Sequence, residues 1–141
     1  MRCSDIMKTD VACVTSTTTV EAASRTMRDK NVGFLPVCDD SKHVLGTITD
    51  RDIVVRVMAD GKPGSTTIDA AMTKEGVCCR PGDEVYAAEK LMAEHQKSRM
   101  LVCDDGGVLV GVISLSDIAH HERTKTSGRV LSDVTAREAH H

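Results

Sequence analysis

The stretch GTITDRDI (residues 46–53) ends what reads as a buried strand and runs straight into two aspartates and an arginine. Sixty-five residues later the chain reads GVISLSDI (111–118). Gly46, Ile48, Asp52 and Ile53 return as Gly111, Ile113, Asp117 and Ile118, while Thr49 becomes Ser114 and keeps a hydroxyl. Asp50 becomes Leu115, so the repeated feature is a hydroxyl-x-x-Asp spacing. At this offset residues 7–53 align on 72–118 without a gap, and 14 of the 47 positions are identical: Met7, Cys13, Val20, Ala22, Ala23, Met27, Val37, Cys38, Asp39, Asp40, Gly46, Ile48, Asp52 and Ile53. Such self-similarity marks two copies of one structural unit.

The order of elements is the same in both copies. In the first, Thr18 and Glu21 have capping-box spacing, followed by Val20, Ala23 and Met27 on one helical face. FLPVC (34–38) and VLGTIT (44–49) read as a hairpin around the polar turn DDSKH. A second helix begins near Asp50–Asp52 and carries Ile53, Val54 and Val57. In the second copy Asp83 is the expected N-cap, Val85, Ala88 and Met92 form the stripe, and RMLVC and VLVGVIS flank DDGG. Each copy is roughly strand–helix–strand–strand–helix. DGKPGSTT (60–67) has linker composition. The expected division is 1–59, a linker at 60–67, 68–121, and an extension at 122–141. So small a unit has difficulty burying its sheet alone. The prediction is an α+β fold, two β-α-β-β-α units packed sheet to sheet about a pseudo-twofold, with two equivalent clefts.

Composition narrows the function. The 141 residues are 40% apolar with a net charge of −3, and Phe34 and Tyr86 are the only aromatics. Nucleic-acid surfaces favour basic stripes and stacking rings, so none is expected here. No apolar run approaches the roughly 18–20 residues of a membrane span. The N-terminus lacks a long apolar h-region, and six cysteines without export predict a reducing cytoplasm. His140 and His141 read as the start of a purification tag.

Two readings compete for Thr49 and Asp52. A strand end feeding a helix start presents free N–H groups that suit phosphate, with Thr49 as hydroxyl donor and Asp52 as acceptor for a ribose diol. Alternatively Thr49 or Asp50 is a helix cap and Asp52 complements the dipole. Repetition of both residues, while Asp50 drifts to Leu115, favours a ligand.

With LPVCDD or MLVCDD ahead of them, the two motifs closely resemble the tandem cystathionine β-synthase (CBS) domain pair, or Bateman module, over about residues 3–121. The resemblance implies a non-catalytic sensor of adenine nucleotides or related adenosyl ligands such as AMP, ADP, ATP or NAD. It assigns Thr49 and Asp52 to one site and Ser114 and Asp117 to the other. Ala12, Val32 and Gly33 would line the adenine pocket of the first, and Val77, Lys97 and Ser98 that of the second. It gives Arg99 a cross-repeat role toward the Asp52 phosphate, where Arg51 adds charge; Phe34 stands at the equivalent position for the other site, which has Ser116 as an extra hydroxyl. A solvated strand-end cation is the plainer reading of Arg99. On these grounds the Asp52 site fills first with a phosphorylated ligand. The resemblance also implies a homodimer, with Val54, Val57 and Met58 as candidate surface or core, and an effector protein as partner. A structural interaction module with vestigial clefts is the competing reading.

Little else carries chemistry. Cys13/Cys78 and Cys38/Cys103 are repeat-related and read as small buried hydrophobes, with redox or metal work as the alternative. There is no C-x-x-C, and adjacent Cys78–Cys79 suit a zinc site poorly. His120, His121 and Glu122 read as a charged helix end. GKPGST (61–66) lacks P-loop spacing. No catalytic residues, metal site or catalytic cofactor are expected.

Overall fold

The computed structural model describes residues 1–74 and 77–123. The extension from residue 124 onward, including LSDVT (131–135), lies outside the described residues. The elements are α1 (Cys3–Ile6), α2 (Val20–Lys30), β1 (Phe34–Cys38), β2 (Val44–Thr49), α3 (Asp50–Ile53) continuing as a π-helical turn (Val54–Met58), a 3-10 turn (Ile68–Ala70), β3 (Cys78–Cys79), α4 (Val85–His95), β4 (Arg99–Cys103), β5 (Leu109–Ser114) and α5 (Leu115–Arg123). The fold is α+β and the elements repeat at the offset read from sequence.

Two compact units emerge, and each is built from non-contiguous chain. The first holds residues 12–74, the second residues 1–11 with 77–123. In the first unit Thr73 pairs with Thr47; in the second Lys8 pairs with Val112, the same bridge moved by the repeat offset. Likewise Thr67 pairs with Thr19, and Arg2 with Glu84. Each copy therefore has its lead segment on the other copy's hairpin, which the sequence division did not anticipate. The segment 60–67, read as a linker, is tied down. Val20 and Glu21 donate their N–H groups to the carbonyls of Thr66 and Gly64 at 2.8 and 3.1 Å. These groups open α2 and would otherwise lack partners. Met1 does the same for Val85 of α4 at 2.9 Å.

The caps differ from expectation by one residue. Thr19, rather than Thr18, caps α2 by accepting the Ala22 N–H at 3.1 Å, and Glu21 pairs with Arg25 instead of reaching back. Thr18 Oγ1 accepts the Thr15 N–H within the preceding turn. At α4 the N-cap is Glu84, and Asp83 instead accepts the Arg80 N–H at 2.8 Å. Adjacent hydroxyls or acids leave the register of a cap ambiguous in sequence, and turn hydrogen bonds decide it. Both helices end on a left-handed residue, Asn31 and its counterpart Gln96.

β1 and β2 pair antiparallel, as do β4 and β5. The first strand of each copy runs parallel to this hairpin. In the second unit β3 makes two pairs, Cys78 with Leu101 and Cys79 with Val102. In the first unit only Val14 pairs, with Val37. Pro36 stands where Leu101 pairs, and has no N–H to give. Two cores result. Val20, Ala23, Met27, Leu35, Val37, Ile48 and Ile68 pack in the first. Their counterparts Val85, Ala88, Met92, Met100, Val102, Ile113 and Cys3 pack in the second.

The repeated glycine of the motif follows from the lead segments. A Cβ on Gly46 would lie 2.2 Å from the carbonyl oxygen of Thr73, and one on Gly111 2.7 Å from Met7 Sδ and 3.0 Å from the Lys8 carbonyl. Backbone cannot rotate aside as a side chain can. Gly46→Ala is expected to cost about 3 kcal/mol. Gly106→Ala, whose Cβ would meet Asp104 at an ordinary 3.4 Å, should be nearly neutral in the same urea titration.

Candidate functional site

Each unit gathers its candidate residues at one end of its sheet. In the first, Phe34 pairs with Thr49, so Val32 and Gly33, which precede β1, lie beside the end of β2. Asp50 donates its N–H to the Gly33 carbonyl at 3.0 Å and lays its carboxylate over Gly33. Ala12 packs against the first core, two residues before the Val14–Val37 bridge and thus toward the same sheet end. In the second unit Arg99 pairs with Ser114, and Leu115 donates its N–H to the Ser98 carbonyl at 2.9 Å. Val77 packs on the second core. Position 50/115 drifts for a packing reason: Leu115 is buried, whereas Asp50 is exposed.

The hydroxyl-x-x-Asp spacing closes a reciprocal capping box in both copies. Asp52 N–H donates to Thr49 Oγ1 at 3.0 Å, and Thr49 N–H donates to Asp52 Oδ2 at 3.0 Å. The Ser114/Asp117 distances are 3.1 and 3.0 Å. The cap and the ligand readings are thereby compatible. Each box uses one carboxylate oxygen and the acceptor face of the hydroxyl. The hydroxyl proton and the second oxygen, Oδ1, are left to act outward. The Asp52 and Asp117 side chains are only 14% and 13% exposed, so the box holds each carboxylate in one orientation.

Two cations missed in the sequence face those outer oxygens. Arg56 Nε lies 3.9 Å from Asp52 Oδ1, and Lys8 Nζ lies 3.4 Å from Asp117 Oδ1. Arg56 follows Asp52 by four residues, a spacing readable on a helix. Arg56 also donates to the carbonyls of Ala71 and Met72 at 3.2 and 3.1 Å, which fixes the lead segment. Lys8 is far from Asp117 in sequence, and only the lead-segment bridge brings it there. It gives the Asp117 site a cation that the sequence argument for unequal sites did not include. Arg51, Ser116 and Lys97 are exposed, and Arg99 is half-buried at the start of β4.

Other candidates settle differently. Val57 is core, whereas Val54 and Met58 are 59% and 65% exposed. Cys38 and Cys103 are buried, but Cys13 and Cys78 are only half-buried. Burial and the neighbouring Cys13 push the Cys38 thiol up to about 12. Among the described residues no group of three or more His, Cys, Asp or Glu is arranged to hold a metal ion. Among them, too, no helix is long and apolar enough to cross a membrane.

The CBS domain model matches twice, over residues 3–59 and 68–123. The chain belongs to the CBS-domain family. This CBS pair is 34% identical over 137 residues to CBS domain-containing protein YhcV of Bacillus subtilis (strain 168), covering 96% of each chain. The crystal structure of Hypoxic Response Protein I with two coordinated zinc ions is 33% identical, with a TM-score of 0.79 over 86% of this chain and 98% of that one. CBSX2 in complex with AMP shares the fold, with a TM-score of 0.77 at 21% identity over 87% and 96% of the two chains.

Losing the hydroxyl should cost each cap its acceptor. Thr49→Ala and Ser114→Ala are each expected to lower stability by about 1 kcal/mol, and Thr49→Ser by much less, in denaturant unfolding.

Proposed function

We propose that this CBS pair is a non-catalytic, cytoplasmic regulatory module that binds adenosyl ligands, AMP among them, at both hydroxyl-x-x-Asp sites. The observation carrying this reading is the pair of capping boxes, each leaving unused a hydroxyl proton and a carboxylate oxygen, the latter beside Arg56 or Lys8. The outer oxygen accepts from a ribose diol, the hydroxyl donates to phosphate, and the backbone of Gly33 or Ser98 with the apolar Ala12 or Val77 supports the base. CBSX2, a protein of this fold, is a complex with AMP, and membership of the family supports transfer of that ligand class. Arg51 is assigned to phosphate at the Asp52 site. Lys8 and Ser116 serve the Asp117 site, so both sites take phosphorylated ligands. Output passes to a separate effector protein.

A charge-assisted hydrogen bond is worth about 1.5–3 kcal/mol, roughly ten- to a hundredfold in affinity. In calorimetric titration with AMP, Asp52→Ala is expected to remove one binding event and Asp117→Ala the other. Asp52→Asn keeps an acceptor for the cap and controls for folding. Lys8→Ala should weaken AMP more than adenosine at the Asp117 site. Absence of AMP, ADP, ATP and NAD binding to the folded protein would refute the reading and favour the interaction module with vestigial clefts.

Exposed Val54, Val55 and Met58 support self-association as a homodimer, because this π-helical turn displays three apolar side chains to solvent. A dimer is expected at micromolar concentration in sedimentation velocity. Val54→Asp with Met58→Asp should give a monomer that retains its helical signal; a monomeric native protein would end this part of the proposal.

A further inference from the structure

Sulfur pairs recur at repeat-related positions. Cys103 Sγ, at the end of β4, lies 2.8 Å from Cys78 Sγ at the start of β3. That is within about 1 Å of the ~2.05 Å covalent S–S bond. In the first unit the counterparts Cys13 and Cys38 stand at the same two repeat positions, and Cys13 is near enough to push the Cys38 thiol up. The local geometry is the same in both. Cys78 precedes Cys79, which pairs with Val102, and Cys103 follows Val102; Cys13 precedes Val14, which pairs with Val37, and Cys38 follows Val37. Each pair therefore joins a unit's first strand to the adjoining parallel strand.

Burial accounts for Cys38 and Cys103, but not for their half-exposed partners Cys13 and Cys78 being kept in both copies. Some core positions are kept between the copies, such as Val37 and Val102, while others drift: Leu35 becomes Met100, Val14 becomes Cys79, and Cys3 becomes Ile68. Cys13 and Cys78 are also only half-buried, so they contribute little as core. Exposure of one sulfur in each pair gives an oxidant access, and burial of the other keeps it in place as a partner. A third contact, Cys3 with Cys79 at 3.8 Å, has both sulfurs fully buried and no such route.

We propose that Cys13–Cys38 and Cys78–Cys103 are two modification sites, dithiols that a hydroperoxide closes to disulfides within each unit. The half-buried sulfur, as thiolate, attacks the peroxide; the O–O bond breaks, and the departing hydroxide takes up the proton that the thiol shed on ionising, leaving a sulfenic acid and water. The buried sulfur then attacks the sulfenic sulfur. The S–S bond forms, the S–O bond breaks, and the departing hydroxide takes the buried thiol's proton. Two thiols and one hydrogen peroxide become one disulfide and two waters. A cytosolic disulfide of this type is transient and reversed by cellular dithiols. Ala12 and Val77 directly precede Cys13 and Cys78, so each bond pins a strand that carries a proposed adenine-pocket residue. That coupling rests on the adenosyl reading; formation of the bonds does not.

The test uses the full chain with hydrogen peroxide as probe, followed by alkylation and peptide mapping by mass spectrometry. The expected result is loss of two hydrogens per pair, with bonds mapped to Cys13–Cys38 and Cys78–Cys103, Cys3 and Cys79 still alkylatable, and reversal by dithiothreitol. Cys13→Ser and Cys78→Ser should each abolish one bond and leave the other, with unchanged circular dichroism. Recovery of all six thiols after peroxide, stepwise oxidation to sulfinic acids without a bond, or bonds only between molecules would overturn the proposal. AMP titration before and after oxidation reads the coupling. A change of threefold or more in affinity supports it, and unchanged affinity with both bonds in place removes it. Failure of the reduced protein to bind AMP counts against the adenosyl reading alone.

Discussion

Each unit is closed where a lead segment crosses the hairpin beside a glycine, at Gly46 so closely that a Cβ would lie 2.2 Å from a backbone oxygen. Thr73 bridges Thr47 beside Gly46, and Lys8 bridges Val112 beside Gly111. Much follows from these two crossings. They bring Ile68 into one core and Cys3 into the other, and place the carbonyls of Thr66 and Met1 over the first N–H groups of α2 and α4. The lead segments thereby satisfy donors that a side-chain cap would serve only in part. They also set Lys8 beside Asp117 and give Arg56 its two carbonyl partners. Stability and site chemistry thus share one constraint.

The motif itself shows how a structural device becomes a binding device. A capping box needs a hydroxyl oxygen and one carboxylate oxygen. It consumes neither the hydroxyl proton nor the other oxygen, and it fixes both groups in a single orientation. The entropy of ordering these side chains is met on folding, before any ligand arrives. Repetition doubles the device, and the drift of Asp50 to Leu115 shows which position the device does not need.

The thiols add a second layer to the same strands. Burial holds Cys38 as a neutral thiol at ordinary pH, so reaction begins at Cys13, nearer to solvent. The strands carrying Cys13 and Cys78 are the least paired in their sheets, with one bridge in the first unit and two in the second. Few backbone hydrogen bonds hold them, which is where a covalent bond changes mobility most.

The sequence by itself determined the repeat, the α+β class, the helical stripes Val20–Ala23–Met27 and Val85–Ala88–Met92, both hairpins, and the Thr49/Asp52 and Ser114/Asp117 motif. All of these are local, set by spacing of 2 or 3.6 residues and by a constant offset between copies. It did not determine which threonine caps α2, because neighbouring hydroxyls compete and hydrogen bonds from the turn break the tie. It favoured Thr49 as a ligand group over a helix cap, and the bond geometry makes it a cap with donor capacity to spare. The exchange of lead segments, the burial of Val57 beside exposed Val54 and Met58, the nearness of Lys8 to Asp117, and the contact of Cys78 with Cys103 were decided only by tertiary structure. Each depends on residues far apart in the chain or on the direction of a single helical turn, and no local pattern encodes either.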